Sequence, residues 1–240
     1  MLDIETAPHL AAIWGLYDQN VAINQIIKPG YTLCWAAKWY GEKQVMFSSI
    51  LDGHRKMVRA AHKLLTECDA VCHYNGTKFD IPTLNKEFLL LDLKPPAPYK
   101  QIDLLRTARS RFRLASNKLD YVAGQLDIGS KLKHKGFDLW LECMAKDPEA
   151  WRTMKRYNKQ DVVLLEKVYD RLLPWVNGHP NLSAYEEARC CPKCGSEKNQ
   201  ARGYAYLQTK RYRRFQCTSC GTWHRAQKPE KSGEIAIAVN

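Results

Sequence analysis

Four carboxylates and four thiols are the side chains of this sequence whose types and spacing suit chemistry. Asp3 and Glu5 sit at i and i+2 of an opening extended segment, so both point to one face of a strand. Asp80 closes the polar run Asn75-Gly76-Thr77-Lys78-Phe79-Asp80, which follows a short apolar strand. Asp161 lies four residues after Tyr157 in a helical pattern, so hydroxyl and carboxylate share a face. Carboxylates gathered at one spot repel one another and are costly to bury without cations. Two Mg²⁺ or Mn²⁺ ions would solve that problem, because hard cations take oxygen ligands. Paired ions about 3.5–4 Å apart clamp the attacking and leaving oxygens of a phosphodiester displacement. Taken singly, each piece also reads as a solvated strand edge, a surface pair or a turn. Their order, at a strand, a strand-to-helix junction and a late helix, gives them weight together.

The thiols lie in the last quarter of the chain. Cys191-Pro192-Lys193-Cys194-Gly195 and Cys217-Thr218-Ser219-Cys220-Gly221 are two Cys-x-x-Cys-Gly knuckles separated by 22 residues. Four thiolates at this spacing suit one tetrahedral Zn²⁺, and the glycines permit tight turns around it. Cys190 adjoins the first knuckle, but only Cys191 gives the Cys-x-x-Cys spacing; a redox pair is the competing reading. Between and just after the knuckles, rings and cations alternate: Tyr204, Tyr206, Arg211, Tyr212, Arg213, Arg214 and Trp223. Such rings stack on exposed bases while the cations neutralise phosphates, although some rings must fill the small core of the ribbon. His224 reads as an exposed residue rather than a substitute ligand.

These groups need a scaffold. Leu2–Glu5 reads as a strand, and only two residues precede Asp3, which predicts a lightly anchored start. Tyr31–Tyr40 and Gln44–Ser48, separated by Gly41-Glu42, read as an antiparallel hairpin. Gly53–Glu67 carries Met57, Val58, Ala61, Leu64 and Leu65 on one helical face. A strand at Ala70–Tyr74, a helix near Pro82–Leu91 and a strand near Tyr99–Asp103 follow. Helices are expected near Leu104–Arg111, Lys118–Leu126 and Pro148–Leu173. A hairpin group followed by strands alternating with helices implies an α/β domain, a mixed sheet with helices on its faces.

The chain has 240 residues and a formal net charge of +12, room for one ordinary domain and a small second one. Residues 1–180 carry 26 basic and 20 acidic side chains, and residues 181–240 carry 11 and 5, so each part has a net charge of +6. The Pro- and Gly-containing stretch around Leu173–Pro180 ends the last helical pattern. It divides the chain into residues 1–175, a linker over 176–188, and a zinc-ribbon domain over 189–240. Nine cysteines without a secretory signal argue against a disulfide framework, and Cys34, Cys68, Cys72 and Cys143 read as small core residues. No run of about 18 apolar residues is present, so no membrane span is expected. The excess of cations points to a polyanion, nucleic acid first and an anionic membrane surface second. A solvated basic surface is the bland alternative.

Asp3-Ile4-Glu5-Thr6, Tyr74-Asn75 through Phe79-Asp80-Ile81-Pro82, and Tyr157-Asn158-Lys159-Gln160-Asp161 resemble the three motifs of DnaQ-like 3′–5′ exonucleases. Ile102-Asp103-Leu104, Asn117-Lys118-Leu119-Asp120 and Gly129-Ser130-Lys131 extend the likeness to the exonuclease domains of family B DNA polymerases. The resemblance covers about residues 1–173 and implies a ribonuclease H-like fold. Arg156 stands where the histidine subtype would place its histidine, so Tyr157 assigns the tyrosine subtype. By this resemblance Asp3, Glu5, Asp80 and Asp161 are metal ligands, and Tyr157 orients the attacking water. Asn75 and Phe79 would hold the terminal nucleotide, although Phe79 reads equally as core. Lys131 and Lys133, in a loop with His134 and Lys135, are expected to meet phosphates, and Arg106, Arg109, Arg111 and Arg113 form a second basic run. The expected protein is a cytoplasmic, monomeric, two-metal exonuclease acting on DNA, single strands first, with RNA as the alternative substrate. By analogy its setting is a bacterial or phage-infected cell. A silent nucleic-acid-binding module and a proofreading component dependent on a polymerase are the competing readings. A strand at Glu234–Val239 has no legible role.

Overall fold

The first strand, β1 (Leu2–Thr6), alternates as its sequence requires: Leu2 and Ile4 enter the core, while Asp3 and Glu5 turn to the opposite face and remain half-buried. In this computed structural model, which describes residues 1–18, 20–185 and 189–230, the chain then leaves the sheet through a small hairpin. Its strands are β2 (Leu10–Ala11) and β3 (Ile26–Lys28). The chain returns as β4 (Thr32–Ala37), every residue of which is buried, and β5 (Met46–Ser49) completes an antiparallel sheet in the order β1-β4-β5. Ile4 lies opposite Trp35 and Glu5 opposite Cys34, and the register shifts between Glu5 and Thr6. A bulge there re-aims the side chain beside it, which is Glu5. The start of β1 is held more firmly than its length predicts. The Met1 nitrogen donates to the Lys38 carbonyl at 2.8 Å, and the Lys38 N–H donates to the Met1 carbonyl at 3.0 Å.

Helix α1 (His54–Glu67) buries Met57, Val58, Ala61 and Leu65 at helical spacing. It leads into β6 (Ala70–His73), α2 (Asp80–Leu90), β7 (Lys100–Asp103), α3 (Leu104–Arg111), α4 (Leu119–Gln125), α5 (Asp138–Met144) and α6 (Pro148–Leu172). Strands β6 and β7 pair in parallel, and β6 lies beside β1. The expected α/β architecture is therefore present, with antiparallel and parallel strands and helices around them. One core cluster gathers Leu2, Ile4, Trp35, Met57, Leu84 and Phe88; the other gathers Leu33, Cys34, Leu139, Met154 and Tyr157. Burying each such side chain contributes about 1.5–3 kcal/mol. The Trp35 ring keeps its polar atom satisfied inside the core by donating to the Met57 carbonyl at 3.0 Å. Helix α2 starts two residues before the expected Pro82, which puts Asp80 in its first turn with Pro82 at a tolerated position. Neither the β2–β3 hairpin nor α5 was expected.

Contacts divide the chain into two units, Met1–Tyr169 and Asp170–Asn240. The second contains an antiparallel sheet of β8 (Asn199–Tyr206), β9 (Arg211–Cys217) and β10 (Trp223–Arg225), with β9 in the centre. The strand expected at Glu234–Val239 lies outside the described residues, as do residues 186–188 of the expected linker.

Candidate active site

Three elements bring the acids together. Strand β1 presents Asp3 and Glu5 on one face, and α6 presents Asp161 one turn after Tyr157. Ligand oxygens of Asp3, Glu5 and Asp161 all lie within 4.8 Å of one another. Asp80 stands beside this group rather than in it. Its Oδ1 accepts the Ile4 N–H at 3.1 Å, between the two acids of β1. Asp80 is placed there by a tight turn out of β6, where the Gly76 N–H donates to His73 Nδ1 at 3.1 Å. A Cβ on Gly76 would come within 2.4 Å of the His73 ring, so only glycine fits that turn. His73 itself is fully buried and structural, with Gln101 at 3.3 Å on its other nitrogen.

Packing so many carboxyls without a compensating ion raises their proton affinity. Burial, and then Glu5, Asp80 and Asp161, lift the Asp3 carboxyl well above the ordinary carboxylate range. Burial pushes Glu5 up to about 8, against the opposing pull of Lys131 and a hydrogen bond from Trp140. Burial pushes Asp80 up to about 7, although the Ile4 N–H holds it down in part. Asp161 is raised by burial too, with Lys131 opposing. Its Oδ1 is one of three buried side-chain oxygens and nitrogens without a hydrogen-bond partner among the described residues. Clustered hard oxygen donors, raised carboxyls and an orphaned carboxylate oxygen all fit a divalent cation.

Lys131, expected at phosphates, lies against the acids. Its ammonium forms an ion pair with Asp161 and donates to the Tyr157 hydroxyl at 3.1 Å. The loop that carries it is pinned by the Lys131 N–H, which donates to Asp120 Oδ1 at 2.6 Å. Burial and then the Asp161 charge raise the Tyr157 phenol far above its usual range, so the hydroxyl keeps its proton at neutral pH. Lys133 is exposed. Phe79 is 45% exposed and so is not core. Asn75 holds a left-handed backbone, φ +70°, with its N–H donating to Asp103 Oδ1 at 3.0 Å. A cleft of about 670 Å³ opens beside the acids, lined by Asp3, Tyr74, Arg109, Asn117, Lys118 and Lys131 among others.

Asn158 and Trp140 were given no role by the sequence, and His134 stood there only as a member of the basic loop. Asn158, fully buried, donates to Asp3 Oδ2 at 2.6 Å. Trp140 donates to Glu5. His134 sets its ring edge-on to Tyr157, with centres 4.8 Å apart, and to Trp140 at 5.2 Å. Asn158 sits within the Tyr157–Asp161 motif, which was a usable signal; Trp140 and His134 lie in segments whose periodicity says nothing about Glu5.

In the second unit, Sγ atoms of Cys191, Cys194, Cys217 and Cys220 lie within 4.8 Å of one another. Cys191 and Cys220 are 3.7 Å apart, and Cys194 and Cys217 are 3.6 Å apart. Tetrahedral Zn–S bonds of about 2.3 Å place sulfurs about 3.8 Å apart. A disulfide would need about 2.05 Å. The set is therefore compatible with a zinc ribbon, with Cys191 and not Cys190 in the cluster. Around it, Arg211 and Arg213 stand over the Tyr204 ring at 4.9 and 5.1 Å, and Arg214 over Trp223 at 5.0 Å. Tyr206 and Trp223 are exposed. Tyr212 departs from expectation: it is 8% exposed, with Arg225 3.9 Å above its ring. Its ring fills the small core, so no face is left for a base.

A family model described as the RNase H superfamily matches residues 2–173. The chain is similar to the structure of the family B DNA polymerase from the hyperthermophilic archaeon Pyrobaculum calidifontis, with a TM-score of 0.52 and 19% identity. That likeness covers 72% of this chain and 24% of the polymerase chain, and at such identity it speaks to fold alone. No curated protein was found to match. No helix among the described residues is long and apolar enough to cross a membrane.

Proposed function

The chain belongs to the RNase H superfamily, and from that premise we propose that it is a metal-dependent 3′–5′ exonuclease acting on single-stranded DNA ends, with RNA as the alternative substrate. The observation that carries this reading is the convergence of Asp3, Glu5 and Asp161 within 4.8 Å, with Asp80 beside them and an unpartnered oxygen on Asp161. Two Mg²⁺ or Mn²⁺ ions, when bound there, would neutralise the phosphodiester and activate the attacking water.

The side chains do the rest. Trp140 and Asn158 fix the carboxylates of Glu5 and Asp3, so that ligand oxygens are already aimed before substrate arrives. Tyr157, protonated at neutral pH, is a donor that orients water in line with the scissile bond rather than a base. Lys131 gives Asp161 a cation, and its ammonium would be available to a phosphate oxygen where divalent ions neutralise that carboxylate. In the balance of the reaction, a water oxygen bonds to phosphorus and the bond from phosphorus to the 3′ oxygen breaks. A nucleoside 5′-monophosphate leaves, and the 3′ oxygen of the shortened strand takes a proton. Asn75 and Phe79 are assigned to the last nucleotide, and Arg109, which lines the cleft, to its phosphates. The ribbon, held by one Zn²⁺ on four thiolates, adds Tyr204, Tyr206, Arg211, Arg213, Arg214 and Trp223 as a second hold on the strand. The domains proposed for these roles are residues 1–175 and 189–240.

Polarity is the property to test. Oligothymidine labelled at its 5′ end should give a ladder that shortens with time, and a 3′-terminal phosphorothioate should stall it. A ladder that starts from the 5′ side, or internal cuts in a circular strand, would refute the exonuclease assignment.

A further inference from the structure

The hairpin of β2 and β3 has no place in the chemistry above, yet its surface is unlike the rest of the first unit. Trp14 is 98% exposed, Ile23 89%, Tyr17 84% and Leu16 83%, with Ile27 and Ile13 also exposed. Scattered exposed apolar residues are ordinary, but monomeric proteins rarely gather so many in one segment unless something contacts them. The base of the hairpin is tied by its own bonds. The Ala12 N–H donates to the Gln25 carbonyl at 2.9 Å, and Gln25 Nε2 returns a bond to the Ala12 carbonyl at 3.1 Å. Its root is clamped to the segment just after β1 and to α2. The Ala7 N–H donates to the Tyr31 carbonyl at 2.8 Å, the Gly30 N–H to His9 Nδ1 at 3.1 Å, and Lys86 Nζ to the Gly30 carbonyl at 3.0 Å. A Cβ on Gly30 would approach the Ala7 carbonyl to 2.7 Å, so this closure needs glycine. The result is an apolar arm on a hydrogen-bonded base, and β2 begins five residues after Glu5.

We infer that this arm binds unpaired bases of a single strand close to the acid cluster, with Trp14 and Tyr17 as stacking platforms. The inference rests on the nuclease reading and adds a contact surface to it. Three features choose nucleic acid as the occupant. A chain with net charge +12 draws polyanions to itself and repels a second copy. Within residues 10–28 the only formal charges are Asp18 and Lys28, so the arm has little to offer phosphates and must meet bases by their faces. It also bears the amides Asn20 and Asn24, both exposed, whose donors and acceptors match base edges. From Ala7 the chain to Trp14 spans at most about 25 Å, which keeps the platforms within reach of a strand whose end is at Asp3 and Glu5.

The test uses the full chain in EDTA, so that binding is read without cleavage. Fluorescence anisotropy with labelled oligothymidine is measured over a range of salt for wild type, Trp14→Ala/Tyr17→Ala and Trp14→Phe/Tyr17→Phe. Both residues are exposed, and unchanged melting curves will show that the variants fold. The alanine pair should weaken binding by about 5- to 100-fold, the phenylalanine pair should restore most of it, and the salt slope should stay constant because no phosphate contact is lost. Iododeoxyuridine strands irradiated on wild type should crosslink at Trp14 or Tyr17. Equal affinity for wild type and the alanine pair removes the arm from the interface and leaves the nuclease reading standing. A wild-type dimer that the alanine pair converts to monomer at equal affinity overturns the proposal in favour of self-association. Failure of wild type to bind any strand overturns both readings.

Discussion

Glu5 offers a way to read the burial of the acid cluster directly as stability. Its carboxyl ionises near 8 in the folded, metal-free protein against 4.5 for the free group, chiefly because of burial. Between those values the folded state holds a proton that the unfolded chain has released. Stability is therefore present below about pH 4.5 and is lost as pH rises through the window to about pH 8. Between about pH 5.5 and pH 8.5 the loss from this one group is about 3 kcal/mol. Glu5→Gln cannot ionise and keeps an acceptor for Trp140, so it should escape that loss. In EDTA, thermal unfolding followed by circular dichroism should show the variant gaining on wild type as pH rises. At about 2–4 °C per kcal/mol the gap should widen by about 6–12 °C across the window. Mn²⁺ added at the alkaline end should close most of it by stabilising wild type, because the ion binds only the folded cluster. Wild type and variant melting in parallel at every pH would refute the claim that burial holds these carboxyls neutral.

Three further outcomes follow from the same contacts. Tyr157→Phe removes the hydroxyl bonded to Lys131 and should lower kcat about 100-fold while leaving Mn²⁺ affinity within about threefold, measured by single-turnover cleavage and calorimetry. Trp140→Phe removes the donor to Glu5 and should weaken Mn²⁺ binding about 10-fold in the same titration, with circular dichroism unchanged. Stripping Zn²⁺ with a strong chelator should unfold the ribbon, seen as lost amide protection over β8 to β10 by hydrogen exchange, while protection of β4 persists.

Some of this was legible in the residues. β1 was read from its alternation, and α1 from Met57, Val58, Ala61 and Leu65, because one burial face imposes one period. The cysteine cluster was legible because spacing alone selects Cys191 over Cys190. The β2–β3 arm was not. It is tied through His9 to Gly30 and through Ala12 to Gln25, and its exposed side chains follow no burial period. Helix α5, seven residues long, is too short for periodicity to declare itself. Lys131 was placed among phosphates because a basic loop predicts that much. That it reaches Asp161 goes with Asp120, eleven residues earlier in the first turn of α4, pinning the backbone of its loop. The burial of Tyr212 was equally hidden, because alternation along β9 does not say which face of a small sheet is closed.

The central claim is that Asp3, Glu5 and Asp161 form a divalent-metal site that hydrolyses phosphodiester bonds. The most direct measurement is release of nucleoside 5′-monophosphate from oligothymidine by wild type and by Asp161→Asn, each with Mn²⁺, Mg²⁺ or EDTA. Wild type should release it with either ion and not in EDTA, and Asp161→Asn should lose at least about 100-fold of that activity because the ligand set is broken. An intact strand under every wild-type condition, or an Asp161→Asn variant as fast as wild type, would contradict the account.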